Sequence, residues 1–133
     1  MPARIDLITI LSDDPARLAE FYQTVMEFTL VTHQGDYFEF ASEGVRFSIC
    51  SKAIMYEATG HTSYLEKAIG QHFELAFPVD TPAQVDELYT AIVEKGATPV
   101  TSPENMPWGQ RAAFFADPDG NIHEIFAALP SEN

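Results

Sequence analysis

The sequence has a single cysteine, only seven lysine and arginine residues against twenty acidic ones, and no apolar stretch near the roughly 20 residues that cross a bilayer. Each scarcity excludes something. Cys50 alone cannot close an internal disulfide, and no histidine lies near it in a nucleophile pattern, so it reads as buried packing. A formal charge of -13 repels nucleic-acid phosphates and anionic membranes, so neither is expected as a partner. The opening Met1-Pro2-Ala3-Arg4 lacks the long apolar run of a signal peptide, and a cytoplasmic protein is the expectation. A phosphate-cradling glycine-rich loop is also missing. What remains is 133 residues, 46% hydrophobic and 12% aromatic, enough for the core of one domain.

The order of elements repeats. Ile5 to Leu11 reads as a strand, Ser12-Asp13-Asp14-Pro15 as a helix start, and Ala16 to Met26 as a helix whose Leu18, Phe21, Tyr22 and Val25 share one face. Strands follow at Thr29 to His33, Tyr37 to Ala41 and Val45 to Cys50. After a connector with some helix from Lys52 to Gly70, the series restarts. It runs through a strand at Phe73 to Val79, a helix at Gln84 to Lys95 closed by Gly96, and a short strand near Thr98 to Thr101. A loop from Ser102 to Gly109 then leads to strands at Arg111 to Ala116 and Ile122 to Ala127. Asp13 aligns with Asp80, Pro15 with Pro82, Tyr22 with Tyr89 and Val25 with Ile92, all at an offset of 67. The expected architecture is α+β, with two βαβββ modules in one domain over residues 1–133. Module one covers about 4–51, the connector about 52–71 and module two about 72–128. The modules are expected to form a partly open mixed-sheet barrel around a shared cavity.

Alternation within strands then selects side chains. Phe73, Leu75, Phe77 and Val79 form an apolar face that seeks the helix, which leaves Glu74, Ala76 and Pro78 on the other side. The offset matches Leu7 to Glu74, and superposing the turn glycines Gly44 and Gly120 matches Ser48 to Glu124. Leu7, Ser48, Glu74 and Glu124 are therefore predicted to face the cavity. His72 shares the face of Glu74, so a two-residue register change would bring it in, whereas His123 must face away from Glu124. His33 and His61 receive no role. Arg111 is a candidate partner for the carboxylates. Trp108, in a Pro-flanked loop, is the aromatic favoured as a ligand contact among Tyr37, Phe38, Phe40, Tyr56, Met106 and Trp108.

These segments carry a resemblance. Asp13-Asp14-Pro15 with Phe21-Tyr22, Phe77-Pro78-Val79-Asp80, Pro107-Trp108-Gly109-Gln110-Arg111, and Asp117-Pro118-Asp119-Gly120-Asn121 with Glu124-Ile125 resemble the glyoxalase/bleomycin-resistance/extradiol-dioxygenase group, the vicinal oxygen chelate superfamily. The resemblance implies that metal-dependent members hold a divalent ion with His, Gln or Glu at the four converging positions. Leu7 cannot ligate and Ser48 is a poor neutral ligand, so no cofactor is expected. A divalent metal is disfavoured, and any such ion would fall to Glu74, Glu124 and His72.

Two readings follow. One is a metal-independent small-molecule binder of the glyoxalase/bleomycin-resistance type with an unknown, cationic ligand contacting Leu7, Ser48, Glu74, Glu124, Trp108 and Arg111. The other is a lyase or isomerase of the glyoxalase kind, either metal-dependent or using Glu74 and Glu124 as catalytic carboxylates that share a proton. Whether the chain is an enzyme stays open at this point. Uncovered sheet edges, with the dimers common in the resembled family, give a homodimer as the expected assembly.

Overall fold

The structure is a computed structural model and describes residues 2–131. The element order is β1 (Leu7–Ser12), α1 (Pro15–Thr24), β2 (Leu30–Gln34), β3 (Tyr37–Phe40), β4 (Arg46–Ser51) and α2 (Lys52–Thr59), followed by a 3-10 helix (Thr62–Leu65). It continues with β5 (Ala76–Pro78), α3 (Pro82–Glu94), β6 (Thr98–Asn105), β7 (Gln110–Ala116) and β8 (Ile122–Ala128). The fold is α+β with two mixed four-stranded sheets, ordered β1-β4-β3-β2 and β5-β8-β7-β6. In each the outer pair, β1 with β4 or β5 with β8, is parallel and the remaining pairs are antiparallel. The βαβββ repeat read from the sequence is thus present twice. Among the described residues the strands hydrogen-bond as two four-stranded mixed sheets that are not closed into a barrel. The chain divides after Ile69 into two compact units.

The two main helices start by the same chemistry. Asp14 caps α1 by accepting the Arg17 N–H at 3.3 Å, and Pro15 takes the first helical turn, where a missing N–H costs nothing. At α3, Thr81 caps and the Gln84 side chain reaches back to the N–H of Thr81 at 3.0 Å, closing a capping box before Pro82. Each amphipathic helix then covers one face of its own sheet. In the first unit Tyr22, fully buried, meets the rings of Phe40 and Phe47 at 6.5 and 5.1 Å. Phe38 and Phe40 are therefore core residues of the α1 side. In the second unit Phe77, Phe115 and His123 form the corresponding ring cluster, with centroids about 6 Å apart.

Two boundaries moved, while the connector holds the helix expected of it. The strand expected over Phe73 to Val79 shrinks to Ala76–Pro78, although Leu75, Phe77 and Val79 are still more covered than Glu74, Ala76 and Pro78. Before Ala76, side chains take over the tethering that ladder bonds supply elsewhere: Gln71 clasps the Gly120 carbonyl and the Ile122 N–H. The expected loop from Ser102 is strand as far as Asn105, because β6 pairs with β7 through two register shifts, one after Pro99 and one across Pro103. The connector is α2 and the 3-10 helix, closed at Gly60 in the left-handed region.

The turn 117–121 is organised by Asp117, which is 2% exposed. Its carboxylate accepts the N–H groups of Asp119 and Asn121, each at 3.0 Å, and the Asn121 side-chain amide. Gly120, at φ +85°, supplies the left-handed step that an L side chain resists. Asp117→Ala strips these donors of their acceptor and should lower stability by about 1–3 kcal/mol. Chemical denaturation with unchanged m-value measures it.

Candidate functional site

Strand alternation gives each sheet a face turned away from its helix, and the register shows what lies on it. In the first unit Ser48 pairs with Thr9 on β1 and with Glu39 on β3, and the Thr9 and Ser48 hydroxyl oxygens are 2.7 Å apart. In the second, Glu124 pairs with Ala76 on β5 and Phe114 on β7. Thr9 and Ala76 differ by the same offset of 67 that aligned the helices, so Ser48 and Glu124 occupy equivalent places. Leu7 and Glu74 each precede that cross-strand row by two residues, on the same face.

Glu124 is the distinctive group. It is 9% exposed, and no hydrogen-bond donor or cation among the described residues reaches its carboxyl group. Burial, joined by the nearby Glu74 charge, pushes its pKa upward and favours the protonated form. Glu74 itself is exposed, as is His72. The two carboxyl groups predicted to meet are therefore within electrostatic reach, one buried and one in solvent.

His123, one residue before Glu124, faces the other way and is fully buried, as alternation required. Its Nδ1 accepts the Leu75 N–H at 3.0 Å, which leaves the ring proton on Nε2, 3.4 Å from Asp117 Oδ2. The Leu75 carbonyl in turn accepts the Glu124 N–H at 2.9 Å. These bonds set Glu74 and Ala76 beside Glu124.

Arg111 is not brought to the carboxylates. It lies on the α3 side of β7, where its Nε and an Nη donate to the two Asp86 oxygens of α3 at 2.6 and 2.9 Å, while the other Nη donates to Asn105. The reason is parity: Arg111, Ala113 and Phe115 share one face of β7, and Phe114 takes the other. Trp108 is 59% exposed in the turn before β7, with its indole N–H donating to Gln110 Oε1 at 3.1 Å.

The first unit holds a polar network that the sequence reading passed over. Glu39 accepts the Tyr37 hydroxyl at 2.7 Å and two nitrogens of Arg46 at 2.9 and 2.7 Å, and Arg46 also donates to Asp6 at 3.1 Å. The Arg46 guanidinium, aided by the Tyr37 hydroxyl, holds Glu39 at about 2, while burial and the Glu39 bond push Tyr37 upward. The available signal was alternation in β3: Tyr37 and Glu39 had to share the face opposite Phe38 and Phe40. Cys50, buried on that same face, has its thiol pushed up by desolvation and stays a packing group.

Residues 4–125 match the model of the Glyoxalase/Bleomycin resistance protein/Dioxygenase superfamily. The chain belongs to that superfamily. Uncharacterized protein YraH of Bacillus subtilis (strain 168) is 29% identical over 126 residues, covering 92% of this chain and 96% of its own. A glyoxalase/bleomycin resistance protein/dioxygenase from Nocardioides has a TM-score of 0.88 at 24% identity, over 100% of this chain and 88% of that one. A glyoxalase/bleomycin resistance protein/dioxygenase family enzyme from Burkholderia phytofirmans PsJN has a TM-score of 0.85 at 23% identity, over 96% and 100%. At these identities the solved structures show the superfamily fold.

The donor set does not fit a superfamily metal centre. Leu7 offers no donor atom, and Ser48 is wholly buried against Thr9. Among the described residues no three His, Cys, Asp or Glu side chains group closely enough to hold an ion.

Two pH effects follow, of opposite sign. Glu124 binds its proton more tightly folded than unfolded, so its contribution is complete below the ordinary value of 4.5 and is lost as pH rises through the raised one. Glu124→Gln should therefore melt at or above the wild-type temperature at neutral pH, with the difference closing on acidification. Glu39 is the reverse: its pairing stabilises above 4.5 and is lost as pH falls toward about 2. Thermal melts of Glu39→Gln should fall below wild type near neutrality and converge with it in acid.

Proposed function

We propose that the protein binds a small organic molecule without a metal, using the face of the second sheet turned away from α3. The observation that carries this reading is Glu124, a residue only 9% exposed whose carboxyl group accepts from no donor among the described residues. Such a partly desolvated carboxyl group would gain from a bound cationic or hydrogen-bond-donating ligand group. Phe114 and Phe126 flank it on the same face, with Ala76 and Pro78 alongside, so the surroundings suit an apolar body attached to a polar head. Glu74 adds a second negative charge for a cation, and exposed Trp108 offers a flat contact near the end of β7. The binder reading is that of the bleomycin-resistance type, with no cofactor.

One observation favours a second reading. A carboxyl group whose hold on its proton is strengthened by burial and by a neighbouring carboxylate is also equipped to move a proton, so a carboxylate-based lyase or isomerase would use Glu124 as acid and Glu74 as base. Arg111, committed to Asp86, has a structural role in both readings.

Thermal-shift and calorimetric titration with aromatic amines and matched neutral analogues distinguishes these readings from a metal centre. The amines should raise the melting temperature of wild type, and the rise should weaken with salt and be at least tenfold weaker in affinity for Glu124→Gln. Stoichiometric zinc, nickel, manganese or iron in protein purified without chelator, lost in Glu124→Ala, would sink the metal-independent proposal.

A further inference from the structure

The repeat makes each half a template for the other, and a backbone bond of the first sheet is replaced by a side chain in the second. In the first unit β1 pairs with β4 from Leu7 and Arg46 onward, and the Arg46 N–H is taken by the Asp6 carbonyl at 3.0 Å. The residues at the equivalent places are Ile122, two after its turn glycine as Arg46 is, and Phe73, which follows Asp6 at the offset of 67. Here the Ile122 N–H goes instead to the Gln71 side-chain oxygen at 3.0 Å, while the Gln71 amide nitrogen donates to the Gly120 carbonyl at 2.9 Å. The Leu75 N–H likewise goes to a side chain, His123 Nδ1, and the pairing of β5 with β8 begins at Ala76 and Glu124. Segment 71–75 is thus tied to β8 largely by side chains, where β1 is laced into its sheet by peptide groups.

That segment carries Glu74. Coverage still alternates through it, so Glu74 lies two residues before Ala76 on the face that holds Glu124. Glu124 is fixed, because β8 is paired on both sides, with β5 and with β7. Glu74 is not fixed in that way. Both it and Gln71 are exposed, and hydrogen bonds between exposed groups compete with water for a small net gain. The Gln71 clasp can therefore open without breaking the sheet, and opening it carries Glu74 away. The interaction of two charges falls with their separation and with the water between them, so the clasp controls the field that Glu74 exerts on its buried neighbour. The upward push that the Glu74 charge gives Glu124 is in keeping with a closed clasp.

We propose that Gln71 is a positioning residue: by clasping segment 71–75 to the 117–121 turn and the start of β8, it sets how near the Glu74 carboxylate stands to Glu124, and so how strongly that face prefers a cation to a neutral molecule. The cation preference rests on the binding role proposed above, whereas the coupling of Gln71 to Glu124 through Glu74 stands without it.

Titration of the Glu124 carboxyl carbon by NMR on the full chain tests the coupling with no ligand present. Glu74→Gln should lower the Glu124 midpoint toward the ordinary value, Gln71→Ala should lower it in the same direction, and the double variant should go no lower than Glu74→Gln alone. Gln71→Met, which keeps the side-chain length and loses both hydrogen bonds, should match Gln71→Ala, and the Leu75 amide should exchange about tenfold faster in either. Because both positions are exposed, circular dichroism should be unchanged. Calorimetric titration with benzylamine and benzyl alcohol tests the preference: Gln71→Ala should weaken benzylamine about threefold and leave benzyl alcohol as it was. Wild type that binds no benzylamine would overturn the cation preference together with the binding role, and the NMR titration still decides the coupling. A Glu124 midpoint that Gln71→Ala and Gln71→Met leave in place with the fold preserved, or that Gln71→Ala and Glu74→Gln lower additively, would overturn the positioning role.

Discussion

The peptide groups around Leu75 are held from both sides by β8, and the candidate site depends on that hold. The Leu75 N–H is taken by His123 Nδ1, and the Leu75 carbonyl takes the Glu124 N–H. His123 Nε2 lies 3.4 Å from Asp117, whose carboxylate also builds the turn from which β8 starts. A strand of only three residues could slide or fray, and a slip of one would turn Glu74 and Ala76 to the α3 side. The buried Asp117 and His123 side chains make the register definite where the ladder is too short to do so.

The two sheets share a topology and differ in chemistry. At equivalent places the first has Thr9, Ser48 and Glu39, with hydroxyl and carboxylate groups linked to Tyr37 and Arg46 in a satisfied network. The second has Ala76, Glu124 and Phe114, a lone carboxyl group between apolar neighbours. A satisfied polar network has little to gain from a ligand, whereas a desolvated carboxyl group has much. This is why function is sought at Glu124 and structure at Glu39, although both are acidic residues on strands facing away from a helix. Their acidities move in opposite directions, Glu39 downward through its Arg46 and Tyr37 bonds and Glu124 upward through burial and the Glu74 charge.

Much of the fold was legible because it rests on local rules. Asp14-Pro15 and Thr81-Pro82 start helices wherever they occur before an amphipathic run, and the offset of 67 made each half a control for the other. The same periodicity put Leu7, Ser48, Glu74 and Glu124 on the faces opposite the helices and turned His123 away from Glu124. Arg111 was the instructive miss. It was matched to the carboxylates by charge and proximity in sequence, but strand parity gave it to Asp86 on α3, and Asp86 is 25 residues away. Glu39 was missed for the complementary reason: its significance lies in Arg46, seven residues on and across a turn, which sequence order does not advertise.

Composition, periodicity and the repeat by themselves determined that this acidic chain folds as two βαβββ modules, and which residues share the faces that the helices leave uncovered. Those features depend on near neighbours along the chain, where alternation and capping act. Tertiary structure alone decided that the strands hydrogen-bond as two four-stranded sheets, that Arg111 pairs with Asp86 while Arg46 pairs with Glu39, and that Glu124 is buried with no partner. Burial and partnership depend on which distant segments arrive beside a side chain. Whether a carboxylate is a structural tie or a group awaiting a ligand is therefore settled only when the strands have paired.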